Sequence, residues 1–163
     1  MPDDLYHRDI LAWSRAQADR LRRVAAGERV NDVDWEHVIE EIEEVGNSEL
    51  NSVRSHLRNA LLHAFKVLAW PDDQAVNHWS GEIATFLGNA RDRFQPGMAQ
   101  HIDTAAIYAR ALKEVRRLPM SGRAPLPLPE TIDLSIEDLA NEDFGAADLL
   151  DRIRAAIPSV PGV

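Results

Sequence analysis

The stretch 40-EEIEEVGNSELNSVRSHLRNALLHAFK-66 concentrates groups that could do chemistry. Four glutamates flank Ile42, and His56, His63 and Lys66 follow within one apolar run. Carboxylates and imidazoles bind divalent metals and move protons. Placed at about 100° per residue, residues 31–46 predict a helix with an apolar face of Trp35, Val38, Ile39, Ile42 and Val45. Glu40 and Glu44 fall opposite that face, with Glu41 and Glu43 on its rims. Gly46 reads as a helix stop, and Asn47 or Ser48 as the cap of a next helix running to about Ala69, before Pro71. On that next helix His56, Asn59, His63 and Lys66 make one polar stripe at steps of three, four and three.

If these two helices lie side by side, Glu40, Glu41, His63 and Lys66 form a candidate polar cluster. Three readings are open. The stripe faces water, or it joins a satisfied structural network, or it contributes to a metal or catalytic site. A metal would draw on His37, Glu41, His56 and His63. The Glu-x-x-His pairs of metal-bearing bundles are absent, and His37 with Glu40 gives only the reversed order. No motif specifies a cofactor, and a divalent metal is the one candidate. No catalytic residue is assigned. His78 and Trp79 form a second candidate, with Trp79 expected in the core. There is no glycine-rich phosphate loop, G-x-S-x-G elbow or H-E-x-x-H motif.

The elements around these residues are nearly all helical in period. The chain has 163 residues, 45% of them hydrophobic, and no cysteine. That length suits one domain with a real core. It excludes disulfides, thiol nucleophiles and thiolate metal sites, and fits a cytoplasmic protein. No run approaches a membrane span, and the acidic N-terminus does not read as a secretory signal. The net charge of −9 makes nucleic acid an unexpected partner. Basic residues occur in local groups, Arg20, Arg22 and Arg23, then Arg54 and Arg58, then Arg116 and Arg117. These read as solvated helix faces with ion pairs, or as a local phosphate site.

Leu5, Ile10, Trp13, Ala16, Gln17 and Leu21 predict a helix over about 8–26, with Asp9 at its start and Gly27 after its end. A fourth helix carries Val76, Trp79, Ile83, Phe86, Leu87, Ala90 and Phe94. A fifth carries Ile102, Ala105, Ala106, Ala109, Leu112 and Val115. Residues 118–131 hold four of the nine prolines and read as an extended connector, with Leu126 and Leu128 tucked into a groove. Ser135 has capping-box spacing to Asp138, and a last amphipathic piece carries Leu149, Leu150, Ile153 and Ile157. The expected fold is all-α: a single-domain antiparallel helical bundle of about five longer helices with one or two short C-terminal helices. Its parts are a helical core over 1–117, a proline-rich connector over 118–134 and short helices over 135–163.

In order along the chain, Asp4-Leu5-Tyr6, Asp9, Trp13, Asp34, Glu40-Glu41-Ile42-Glu43, Gly46, Ser48-Glu49, Leu61, His63, Lys66 and His78-Trp79 resemble the signature of a bacterial family known as domain of unknown function number 29. The last third of the chain matches poorly, and Val67-Leu68-Ala69-Trp70-Pro71 departs from the family's usual segment. The resemblance implies an all-α, soluble bacterial protein and carries no activity. The functional expectation is a non-enzymatic interaction module that binds a protein partner or forms a homodimer. The alternative is a metal- or ligand-binding bundle, with hydrolysis as one use of the Glu/His/Lys cluster. A third reading is a regulator that reaches nucleic acid through a basic partner.

Overall fold

The computed structural model describes residues 5–159; Asp4 of the family-like opening and the end of the last predicted segment lie outside them. The chain is all-α, with no strand among the described residues. Seven α-helices are described: α1 (Leu5–Arg8), α2 (Ile10–Ala25), α3 (Trp35–Ala69), α4 (Val76–Arg93), α5 (Thr104–Val115), α6 (Ile136–Ala140) and α7 (Ala146–Ala155). Five of these are long, as expected, but they are not the expected five. The two helices predicted over 31–46 and 47–69 are one unbroken α3, and α7 is the fifth long member.

The correction at Gly46 has a physical cause. A glycine ends a helix when the chain needs a left-handed residue there. Gly46 does not have positive φ, and an added Cβ would meet nothing within 4 Å. Asn47 and Ser48 are therefore interior helical residues and not caps. Gly27 does take the left-handed role, with φ +85°, just beyond α2.

Contacts divide the chain into two compact units, residues 1–48 and 49–163. In the first, the Asp9 carboxylate accepts from Ala12 N at 2.9 Å and starts α2. Trp13, Gln17, Val33 and Val38 are its buried side chains. In the second, the core is one cluster drawn from every long helix present. Leu57, Leu61, Ala64 and Phe65 of α3 join Ile83 and Leu87 of α4, Ala111 and Leu112 of α5, and Leu149 and Ile153 of α7. Trp79 is buried there as expected. The Phe65 and Tyr108 rings meet edge to face at 4.9 Å.

The proline-rich connector is strapped to this core by its backbone. Leu126 N donates to Ala69 O at 2.9 Å, and the Tyr108 hydroxyl donates to Pro129 O at 2.7 Å. Trp70 Nε1 donates to Arg123 O at 3.2 Å. Leu128 is buried, but Leu126 is 52% exposed, so only one of the two expected leucines is inserted. Ser135 and Asp138 form the predicted reciprocal cap at the start of α6. Arg91 of α4 then donates to Leu139 O at 3.0 Å and to Phe144 O, satisfying carbonyls at the end of α6 and before α7.

Candidate functional site

The residues of the predicted cluster are divided between the two compact units. Glu40 and Glu41 belong to the unit 1–48, and His63 and Lys66 to the unit 49–163. Because α3 does not end at Gly46, both pairs belong to one helix rather than to two. The metal set is divided in the same way, with His37 and Glu41 in the first unit and His56 and His63 in the second. Among the described residues no group of three or more His, Asp or Glu side chains could hold a metal ion. Each half of the expected site instead has its own set of partners.

In the first unit, Asp34 is the centre of a network. It sits just before α3, where a carboxylate suits the first free N–H groups. Its Oδ2 accepts from Trp13 Nε1 at 3.0 Å and lies 2.7 Å from His37 Nδ1. Its backbone N–H donates to Gln17 Oε1 at 2.9 Å. Gln17, only 4% exposed, is thus a buried polar residue with a partner. The Tyr6 ring stacks on His37 at 3.9 Å, and its hydroxyl donates to Glu41 Oε1 at 2.7 Å. Of the four glutamates, Glu41 is the half-buried one, and Glu40, Glu43 and Glu44 are exposed.

The electrostatics follow this geometry. The bond to Asp34 raises the His37 pKa above its ordinary value. Burial pushes the Asp34 carboxyl up, but the bonds from His37 and Trp13 outweigh it and hold the group below the usual range. The Glu41 carboxylate, accepting from the phenol, pushes Tyr6 up to about 12. An Asp–His pair can orient an imidazole for proton transfer. Here the imidazole is covered on one face by Tyr6, whose own proton is held fast. The arrangement fastens α1 and α2 onto the start of α3.

In the second unit, the polar stripe of α3 lies along α4. His63 Nδ1 donates to the Asn59 carbonyl at 2.8 Å, and the ring sits 5.3 Å from Phe86. The His56 ring is 6.0 Å from Phe86, and its Nδ1 is shielded with no hydrogen-bond partner among the described residues. Lys66 Nζ lies over the Trp79 ring at 5.7 Å, a cation–π contact. Burial lowers the His63 pKa, the bond to the Asn59 carbonyl and Glu82 oppose it, and Lys66 and His78 add to the lowering. These side chains are half-buried. The stripe is a polar seam between two helices, not an open row of donors.

Sequence reasoning missed Gln17 as a polar anchor because its position fell on the apolar stripe of the first helix. A glutamine inside such a stripe was the available signal, since a buried amide must find partners.

The geometry defines an all-α helical protein in which Asp34, His37, Glu41, His63 and Lys66 each meet side chains or backbone of neighbouring residues. The chain belongs to the family described as domain of unknown function DUF29, whose pattern matches residues 5–145. An α-helical protein of unknown function from Rhodospirillum rubrum, solved by crystallography, is similar in structure with a TM-score of 0.69. The two are 29% identical, and the match covers 91% of this chain and 96% of that one. Comparison with curated proteins gives no match. Among the described residues no helix is long and apolar enough to cross a membrane.

Proposed function

We propose that the chain is a non-enzymatic helical interaction module whose partner is a second copy of itself, met through α2 and the first half of α3. One observation carries this reading. Trp35, Ile39, Ile42 and Val45, a helical apolar face by sequence, are 52%, 53%, 68% and 68% exposed. Trp35, Ile39 and Ile42 fall within about 60° of one another around the helix. On α2, Ile10 and Leu11 are exposed as well. Apolar side chains clustered this way on a protein surface mark interaction sites.

Charge selects the occupant. The first half of α3 carries Glu36, Glu40, Glu41, Glu43 and Glu44, whereas α2 carries Arg15, Arg20, Arg22 and Arg23 with one acid, Asp19. Two α3 segments laid together would repel. A two-fold arrangement that sets α2 of one copy against α3 of the other pairs opposite charges twice, as a self-complementary interface requires.

Size-exclusion chromatography with light scattering tests the proposal. The full chain is expected at twice its monomer mass at about 100 µM, a concentration where weak dimers assemble. Ile39→Glu with Ile42→Glu should give a monomer of unchanged helix content. A wild-type chain that is monomeric at that concentration sinks the reading, and so does a dimer indifferent to the double substitution.

A further inference from the structure

A cleft of about 510 Å³ opens within the second unit, between α3 and the start of α5. Its size is that of a small-molecule site. Three arginines line it: Arg54 and Arg58, one helical turn apart on α3, and Arg110 on α5. Ser55 adds a hydroxyl, and Ile107 an apolar wall. The chain as a whole carries a net charge of −9. Three guanidinium groups converging on one cleft are therefore a local feature and not a sample of the general surface.

Their charges are only partly compensated. Glu114 is the carboxylate shared by Arg58 and Arg110, and it stands 3.6 Å from each, beyond good hydrogen-bond distance. Asp103 also lines the cleft, but its carboxylate accepts from Ala106 N at 3.0 Å as the cap of α5. Arg54 donates to Asn51 Oδ1 at 3.1 Å and to the His101 carbonyl, which holds the side chain in place without neutralising it. Arg58 Nε is shielded from solvent and has no hydrogen-bond partner among the described residues. Protein atoms cover that nitrogen, so it is the partly exposed outer end of the Arg58 guanidinium that can meet a molecule in the cleft.

We infer that this cleft binds a phosphate group. A guanidinium presents a planar fork of donors that matches phosphate oxygens two at a time. A dianion with three free oxygens can engage forks from two helices at once, with the Ser55 hydroxyl as a further donor. A carboxylate has one charge and two oxygens, and leaves most of these donors unused. Free phosphate and a small phosphorylated molecule share this chemistry. The latter would lay its organic part toward Ile107. The inference is independent of self-association, since it uses neither α2 nor the first half of α3.

Isothermal titration of the full chain tests it, using inorganic phosphate, glycerol 3-phosphate and acetate, each against chloride at matched ionic strength. Phosphate and glycerol 3-phosphate should bind saturably, with acetate weaker by about tenfold or more. Tighter binding of the ester would assign a phosphorylated small molecule; equal binding would assign the free anion. Arg110→Gln and Arg54→Gln, both outside the apolar core, should each weaken binding by about tenfold without changing helix content. Amide NMR shifts at Ser55 and Ile107 should move on titration even if one variant folds poorly. No saturable heat with either phosphate, equal binding of acetate, or binding that survives both substitutions would overturn the assignment.

Discussion

The Tyr6 hydroxyl donates to Glu41 at 2.7 Å, joining side chains 35 positions apart in the chain. That bond, the Tyr6–His37 stack and the carboxylate of Asp34 make one network, in which Tyr6, Asp34 and Glu41 are residues that resembled a family signature. The resemblance therefore falls on a fastening between helices. Removing it should be felt as lost local stability. Asp34→Ala would leave the Trp13 indole N–H without its acceptor and the His37 ring without its carboxylate, while the Gln17 bond, made to the backbone N–H of residue 34, remains. The expected cost is about 1–3 kcal/mol, read as faster hydrogen exchange of α2 amides. Unchanged exchange in α2 would remove the network from the account of stability.

Gly46 offers a direct test of the continuous helix. Inside a helix, exposed and with open space at its Cβ position, glycine is worse than alanine. Gly46→Ala should stabilise the chain by about 0.5–1 kcal/mol. If Gly46 instead closed a hairpin in the left-handed region, the same substitution would destabilise. The sign of the change in denaturation midpoint separates the two.

The two histidines should respond to pH in opposite senses. His37 is raised by Asp34, so its contribution is full below its unfolded value of 6.5 and fades as pH rises through the raised folded value. His63 is lowered by burial. Its contribution is full above 6.5 and fades as pH falls through the lowered folded value. Acidification from about pH 8 to about pH 5 should protect α2 amides and expose those of α3 and α4 near Phe86. His37→Asn should abolish the first trend and His63→Gln the second. Parallel trends in both regions would contradict these assignments.

Arg91 satisfies carbonyls at two points of the C-terminal region, Leu139 O and Phe144 O. Arg91→Ala should cost about 1–3 kcal/mol, because both carbonyls lose a charged donor. The loss should be localised, with exchange in α6 and α7 accelerating before that of α5. Uniform destabilisation of all helices would argue against a local strap.

Much of the architecture is local and could be read from residue order. The 3.6-residue period of α2, α4, α5 and α7, the Asp9 start, the Ser135–Asp138 cap and the proline-rich break all depend on neighbours within a few positions. Short-range sterics and backbone hydrogen bonding decide such features wherever the segment sits. The burial of Trp79 was legible in the same way, as a member of a stripe.

The state of Gly46 was not local in this sense. A glycine tolerates both helix and left-handed turn, so its sequence context is compatible with a stop or with continuation, and the structure takes continuation. Glu41 finds Tyr6 within the first unit and His63 finds Phe86 within the second. Trp35, Ile39, Ile42 and Val45 are uncovered, although their spacing alone reads as a buried face. Periodicity says which side chains share a side of a helix. Which of those sides meets another helix, and which donors from distant segments converge on one cleft, depends on contacts between residues far apart in the chain, and only the tertiary structure supplies those.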